Sequence, residues 1–376
     1  MDWRIPLSDI DFNDDEAVAV QNVIKSRWLT MGKVTQKFES AFANYIQTKH
    51  AIAVTNATAA LHLACLALGL GPGDEVIVPS LTFVATANAV RYVGAKPVFA
   101  DIVSPDDLNI SPSSINALIT SKTRAIIVVH YAGYPCDMSA ILSTAKQHGL
   151  FVIEDAAHAV GSELNGRKLG TWGDIGCFSF FSNKNMTTGE GGMLTTDNDD
   201  LAQKLGRLRS HGMTSLTWDR HKGHAWSYDV VDLGYNYRID EIRAAIGIAQ
   251  LSKVERNNDR RRKLSTMYRD ALLEIVPQVS IPFQNYPGIT SAHIMPILLP
   301  KDVGREEFMG RMKEQGIQTS IHYPPIHTFT SFRNETPLDL SITEDVALRE
   351  VTIPLYPALT EKDVLAVVDA VSQALS

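Results

Sequence analysis

Leu150-Phe151-Val152-Ile153-Glu154-Asp155-Ala156-Ala157-His158-Ala159 is the stretch whose reading decides the fold. Four apolar residues in a row suit a buried helix segment or a core strand, and periodicity does not separate the two. The β-branched pair Val152-Ile153 and the preceding Gly149 favour a strand that is buried and ends in a carboxylate. In open parallel sheets ligands collect beyond the carboxyl ends of the strands, so Asp155 is placed to point into a site. A buried carboxylate needs a partner. The residues alone leave two open: the N–H groups of a following helix, which Asp caps readily, or a cationic group of a ligand.

Working outward, short apolar strands are readable at Ala51–Thr55, Glu75–Pro79, Pro97–Asp101, Ala125–Val129, Phe151–Glu154, Gly176–Phe180 and Gly192–Thr195. Helical patterns lie between several of them, at Thr58–Leu68, Phe83–Tyr92, Pro112–Ile119, Met138–His148 and Asp199–Ser210. This alternation predicts an α/β fold with a mostly parallel sheet covered by helices. From Asp240 to about Asp270 the pattern turns long, helical and charged, and the run Glu255 to Lys263 reads as a solvated helix face. Shorter elements follow, including His293–Leu299 and Arg305–Gln315, and suggest a smaller C-terminal α+β domain. The division is placed at residues 1–250 and 251–376.

A second run bears on chemistry: Ser179-Phe180-Phe181-Ser182-Asn183-Lys184-Asn185-Met186-Thr187-Thr188-Gly189-Glu190-Gly191-Gly192. An apolar, strand-like segment precedes Lys184 and a glycine-rich bend follows it. That context suits a lysine at the mouth of a core strand, where partial burial favours the uncharged, nucleophilic amine. The bland alternative is a surface charge. A lysine, together with a carboxylate able to hold a pyridinium nitrogen, is half of what pyridoxal phosphate asks of a protein; a phosphate cradle and a ring-face contact complete the set. Asn56-Ala57-Thr58, a strand-to-helix turn, is the candidate cradle, because a helix N-terminus offers N–H donors to an anion. Thr58 could equally be only an N-cap.

Taken together these stretches resemble the DegT/DnrJ/EryC1/StrS sugar aminotransferases, a branch of the fold type I pyridoxal-phosphate enzymes. The likeness runs over nearly the whole chain. It takes in Ser26-Arg27-Trp28-Leu29-Thr30-Met31-Gly32, Thr58-Ala59-Ala60-Leu61-His62-Leu63 and Gly71-Pro72-Gly73-Asp74-Glu75-Val76-Ile77-Val78-Pro79. It continues in Gly234-Tyr235-Asn236-Tyr237-Arg238 and His322-Tyr323-Pro324-Pro325-Ile326-His327. The resemblance implies a large cofactor-binding domain and a smaller C-terminal one, with residues 1–15 returning toward the latter. It implies that Lys184 carries the cofactor and Asp155 its ring nitrogen. Ala57, Thr58 and Ser179 would cradle the phosphate, Phe83 would stack on the ring, and His158 would lie near the ring hydroxyl. Asn236 would reach the cofactor phosphate of a second subunit, which makes the active unit a homodimer with shared sites. The implied reaction moves an amino group, from L-glutamate, to a nucleotide-linked keto sugar in amino-sugar biosynthesis. His322, Tyr323 and His327 are candidate substrate contacts, with a purely structural loop as the alternative. One departure stands out: the family usually has Ser-Gly-Thr where this chain has Asn56-Ala57-Thr58, and alanine lacks glycine's conformational range.

Two other readings share the fold. A pyridoxamine-dependent sugar dehydratase would have a histidine in place of the lysine, and Lys184 argues against it. A cofactor-bound regulator without catalysis is disfavoured by the intact Asp155 and Lys184. The basic and aromatic group Trp218, Arg220, His221, Lys222, His224 and Trp226 suits either closure over a nucleotide or interface packing.

Composition agrees with an ordinary globule: 376 residues, 45% hydrophobic and 20% charged. A formal net charge of −7 gives no footing for nucleic-acid binding. The first residues lack the pattern of a secretory signal, and the most apolar window, Ala51 to Leu70, is broken by Thr55, Asn56, Thr58 and His62. Cys65, Cys136 and Cys177 form neither a disulfide framework nor a Cys-x-x-Cys metal pair. The default expectation is a cytoplasmic protein with no membrane association and no metal.

Overall fold

The computed structural model describes residues 3–214, 227–333 and 339–376; the basic and aromatic group between Trp218 and Trp226 lies outside them. A seven-stranded sheet forms the centre. Its strands lie in the order His50–Val54, Gly192–Thr196, Ile175–Ser179, Phe151–Asp155, Thr123–Val129, Glu75–Pro79, Lys96–Ala100. Gly192–Thr196 runs antiparallel to both neighbours, and every other pairing is parallel. The strands are apolar on both faces because helices cover both, as parallel sheets require. Ala57–Ala67 and Ala85–Tyr92 pack on one side around Leu61, Val78 and Ile153. Lys33–Ile46 and Met138–His148 close the other around Phe38, Ile126 and Phe178.

The predicted strands are all present, with ends displaced by a residue or so. Two helix starts differ in ways that matter for the site. The helix expected from Thr58 begins at Ala57, because Asn56 is the N-cap: its side chain accepts from the Ala59 N–H at 2.8 Å. The helix expected from Phe83 begins at Ala85, which leaves Phe83 in the preceding turn and 56% exposed.

The C-terminal part has its own core. The two-stranded ribbon Met295–Leu298 with Glu350–Ile353 packs among Arg305–Glu314, Glu361–Leu375 and the distal half of Val254–Ile275. Val254 at the start of that last helix belongs to the large-sheet core, whereas Leu264, Tyr268 and Leu272 belong to the C-terminal one. One helix therefore joins both. The N-terminal segment returns to the C-terminal core: Ile5 bridges Ile317, and Leu7 N–H donates to Gln318 Oε1 at 3.0 Å.

The run from Glu255 to Lys263 is solvated on one face only: Glu255, Arg256, Asp259 and Lys263 are exposed, while Asn257, Asn258 and Arg261 are buried. Arg261 is 2% exposed and donates to the carbonyls of His293 and Leu355 at 3.1 and 2.8 Å. Arg260 donates to Leu359 O, and Arg262 to Thr290 O. Long apolar stems let these side chains span the space between the two cores while their guanidinium groups satisfy carbonyls that helices and strands leave unpaired.

Candidate active site

Beyond the carboxyl ends of the parallel strands lies a cavity of about 400 Å³. Asn56, Ala57 and Thr58 follow the strand His50–Val54; Thr82 and Phe83 follow Glu75–Pro79; Asp155 and Ser179 end their own strands. The sheet thus delivers residues far apart in sequence to one rim. Lys184 enters from the loop after Ser179, and His322 and Tyr323 come from the C-terminal part.

Asp155 is 5% exposed. Its Oδ2 accepts from Thr86 Oγ1 at 2.8 Å, its Oδ1 accepts from Ala157 N–H at 3.2 Å, and Thr86 lies 3.1 Å from Thr82. It caps no helix. Burial raises its pKa, opposed by the Thr86 and Ala157 hydrogen bonds and by the nearby Lys184 amine. Such a carboxyl has much to gain from a cation brought into the cavity. Lys184 is partly buried, and burial pulls its amine down to about 8 against the opposing pull of Asp155. It is therefore a lysine able to be neutral near physiological pH.

The candidate cradle is a helix start, where the first N–H groups have no intrahelical partner. Asn56 takes up that of Ala59, and its own backbone is extended at φ −169°, ψ 170°. Ala57 is helical rather than left-handed, so alanine sits where the family usually has glycine without strain. Gly192 is required instead. It lies between Val54 and Ser179 in register, and a Cβ there would come within 2.5, 2.6 and 2.8 Å of Asn56 C, Asn56 O and Ala57 N. The antiparallel strand thereby presses its backbone against the turn.

Of the residues expected at the site, Ala57, Thr58, Phe83, Asp155, His158, Ser179, Lys184, His322 and Tyr323 all line the cavity. His158 Nδ1 accepts from Ala132 N–H at 3.3 Å, so Nε2 donates to the Tyr323 hydroxyl at 3.0 Å. Burial, reinforced by Lys184, holds His158 well below the usual imidazole range. His322 is fixed by Glu350, whose Oε2 accepts its N–H at 2.7 Å, and by Thr352 at 2.8 Å from Nδ1. Burial pushes its ring down to about 3. His327 does not line the cavity; its two ring nitrogens meet Ser80 Oγ at 2.6 Å and Glu344 Oε1 at 3.1 Å. Asn236 is exposed, pairs its backbone with Ser210, and lies outside the lining of its own chain's cavity.

The sequence reading missed Thr86, Glu350, Thr352 and His293. Thr86 had a signal, because Thr82 and Thr86 are spaced to share a face. The others lie on apolar strands or their approaches and carried none.

Comparison with known proteins agrees with this geometry. The sequence profile of the DegT/DnrJ/EryC1/StrS aminotransferase family matches residues 11–372. The spore coat polysaccharide biosynthesis protein SpsC of Bacillus subtilis is 40% identical over 95% of this chain and 93% of its own. The aminotransferase TlmJ of Streptoalloteichus hindustanus is 32% identical, with a TM-score of 0.91 over 99% of this chain and 98% of that one. Spr1654 of Streptococcus pneumoniae, solved in its pyridoxal-phosphate form, is 27% identical with a TM-score of 0.89 over 99% and 98% of the two chains. The chain belongs to the DegT/DnrJ/EryC1/StrS aminotransferase family and has its fold type I architecture. It is an aminotransferase whose cofactor is pyridoxal 5′-phosphate. The residues present fit that cofactor: a partly buried lysine amine, a buried carboxyl stabilised by an incoming cation, and an anion-accepting helix start open on one cavity.

Proposed function

We propose that this family member transfers the amino group of L-glutamate to a nucleotide-linked keto sugar, as a step in amino-sugar and polysaccharide biosynthesis. The observation that carries the reading is the placement of Lys184 and Asp155 on one cavity that His322 and Tyr323 also line. The His322 imidazole and the Tyr323 phenol suit the hydroxyls of a sugar ring, and the polysaccharide role in SpsC's name points the same way.

When bound, pyridoxal phosphate supplies an electron-withdrawing ring that acidifies the α-carbon of an attached amine. Lys184 would hold the cofactor at rest. Its Nζ, near 8, can take a proton from the donor's α-carbon and return one to the product's carbon. Asp155 would hold the ring nitrogen's proton by charge, and Thr86 keeps that carboxylate in place. Thr58, Ser179 and the first N–H groups of the helix from Ala57 would hold the phosphate. Phe83 would cover the ring face, and His158, bonded to Tyr323, would lie near the ring hydroxyl.

The active unit in this reading is a homodimer with shared sites. Asn236 is exposed outside the cavity of its own chain, which leaves it available to another. Tyr228, Val230, Val231 and Leu233 before it are exposed, Leu233 at 86%, and form an apolar stretch suited to a second copy.

The test uses purified enzyme with its visible cofactor absorption. L-Glutamate should bleach the band, and a panel of nucleotide-linked keto hexoses should contain one that restores it and yields the amino sugar by mass. Bleaching by glutamate with restoration only by simple oxo acids would refute the sugar-nucleotide substrate. Turnover by Lys184→Ala would refute the lysine's role.

A further inference from the structure

We propose that His293 is a positioning residue for Lys184: its Nε2 is a fixed acceptor that receives an N–H of the lysine and holds the amine where protons are exchanged. The proposal rests on Lys184 being the cofactor lysine. His293 is 3% exposed, and its Nε2 lies 3.5 Å from Lys184 Nζ, the outer limit of a hydrogen bond.

The other ring nitrogen decides which atom carries the proton. His293 Nδ1 lies 2.8 Å from Asn185 Oδ1. Asn185 Nδ2 donates to Asn258 Oδ1 at 2.7 Å and to Ser291 O at 2.8 Å. Both amide hydrogens of Asn185 are thus engaged, and its oxygen can only accept. The imidazole proton is therefore on Nδ1, and Nε2 turns a lone pair toward the lysine. The ring is anchored from several sides. His293 N–H donates to Ala132 O at 2.9 Å, Arg261 donates to its carbonyl at 3.1 Å, and His158 packs on it with centroids 4.4 Å apart. Asn258 is itself tied to Val160 O at 2.9 Å.

Such an acceptor has a use. A free lysine amine has many rotamers to lose, and the charge nearest to it is Asp155, which favours the ammonium. The imidazoles of His158 and His322, the Tyr323 phenol and the Arg261 guanidinium are the other titratable or charged groups of this cluster. A neutral acceptor competes with Asp155 for the amine without adding a charge of its own.

The test exploits the two ring nitrogens. In His293→Gln the side-chain amide reaches the place of Nε2; in His293→Asn it reaches that of Nδ1. Each is measured in the pyridoxamine form of the holoenzyme, where the lysine amine is free. One readout is the pH dependence of Lys184 acylation, followed by peptide mass. The second is the effect of deuterium at the donor's α-carbon on kcat.

His293→Gln should exceed His293→Asn in kcat by on the order of tenfold, with KM little changed. His293→Asn should show a larger isotope effect than wild type and a labelling midpoint displaced to lower pH, because the ammonium loses an acceptor. The opposite order of the two variants would mean that the ring serves only Asn185, and would overturn the proposal. So would one labelling midpoint common to wild type and both variants. Cofactor content reports whether each variant folds. Should neither load cofactor, the wild-type histidine ¹⁵N spectrum decides: His293 must stay neutral with its proton on Nδ1 from about pH 6 to 9, and the Nε2–H tautomer refutes the idea. Lys184→Ala separates the two levels. Loss of turnover there with no difference among the His293 variants sinks only the role of His293.

Discussion

Gly192→Ala isolates the contribution of the sheet to the cofactor cradle. Its Cβ would lie 2.5, 2.6 and 2.8 Å from Asn56 C, Asn56 O and Ala57 N, all backbone atoms. Real Cβ contacts of this kind are essentially not seen below 3.0 Å, so the turn or the strand must move. The strand is paired on both sides, with Val54 and with Ser179, and is the stiffer partner. The Asn56–Ala57 turn should therefore yield, and with it the N–H groups of the first helical turn. Overpacking typically costs about 1–3 kcal/mol. If that strain must be relieved each time the cradle closes on a phosphate, cofactor affinity falls by roughly 5- to 150-fold. The assay is titration of cofactor-depleted protein with pyridoxal phosphate, followed by visible absorption, beside thermal unfolding with and without cofactor. Gly206→Ala is the control: it lies in the helix Asp199–Leu208 with nothing within 4 Å of its Cβ, and should leave affinity alone while stabilising by about 0.5–1 kcal/mol. A Gly192→Ala protein that binds cofactor within about twofold of wild type, less than 1 kcal/mol, would refute the argument that this strand braces the cradle.

Asp155→Asn should still load cofactor yet convert it to the pyridoxamine form at least about tenfold more slowly in single turnover, since a neutral amide cannot hold the ring nitrogen protonated by charge; a rate within about twofold of wild type rules that role out. Burial pushes the Glu350 carboxyl up to about 8 from an ordinary 4.5, so between those values the folded state keeps a proton that the unfolded chain releases, and stability falls as pH rises through the window. The upper bound is about 5 kcal/mol at about 1.4 kcal/mol per decade; Glu350→Gln should flatten the pH slope of the urea unfolding free energy, and equal slopes in both proteins refute the assignment. For the shared site, mixing Lys184→Ala with Asn236→Ala under full subunit exchange should restore about a quarter of wild-type activity, because half of random pairs are mixed and each has one intact site; no recovery in verified heterodimers means that Asn236 acts within its own subunit or only in packing.

Much of the fold was legible because its signals are local. Each parallel strand is a short apolar run bounded by turn residues, and the helices that start at Ala57, Pro112 and Met138 carry their own caps in Asn56, Ser111 and Asp137. Asp155, Ser179 and Asn56 were legible for the same reason: each sits at a strand's carboxyl end, where the architecture itself places ligands. The ends of elements were less so. Asn56 rather than Thr58 caps its helix because its extended backbone lets the side chain reach Ala59, and that choice depends on dihedral angles rather than on residue type.

What the sequence could not show is which distant segments meet. The charged stretch from Glu255 to Lys263 has the composition of a solvated helix face, and nothing local contradicts that. Its buried side follows from the chain's path: the helix crosses from the large-sheet core to the C-terminal one, so the guanidinium groups of Arg260, Arg261 and Arg262 face loop carbonyls, while Arg256 stays exposed. Arg261 then holds the carbonyl of His293, and His293 reaches Lys184, more than a hundred residues earlier. His322 is placed likewise, by Glu350 and Thr352 on the ribbon strand opposite. The residues proposed to hold the cofactor's ring nitrogen and phosphate, Asp155, Thr58 and Ser179, lie at or just beyond strand ends and are readable one at a time. Those around Lys184 and His322 come from the junction of two cores and meet only when that junction forms. Mutations confined to the junction should therefore alter proton transfer, read as the α-deuterium effect on kcat, while cofactor content, read from visible absorption, stays near that of wild type.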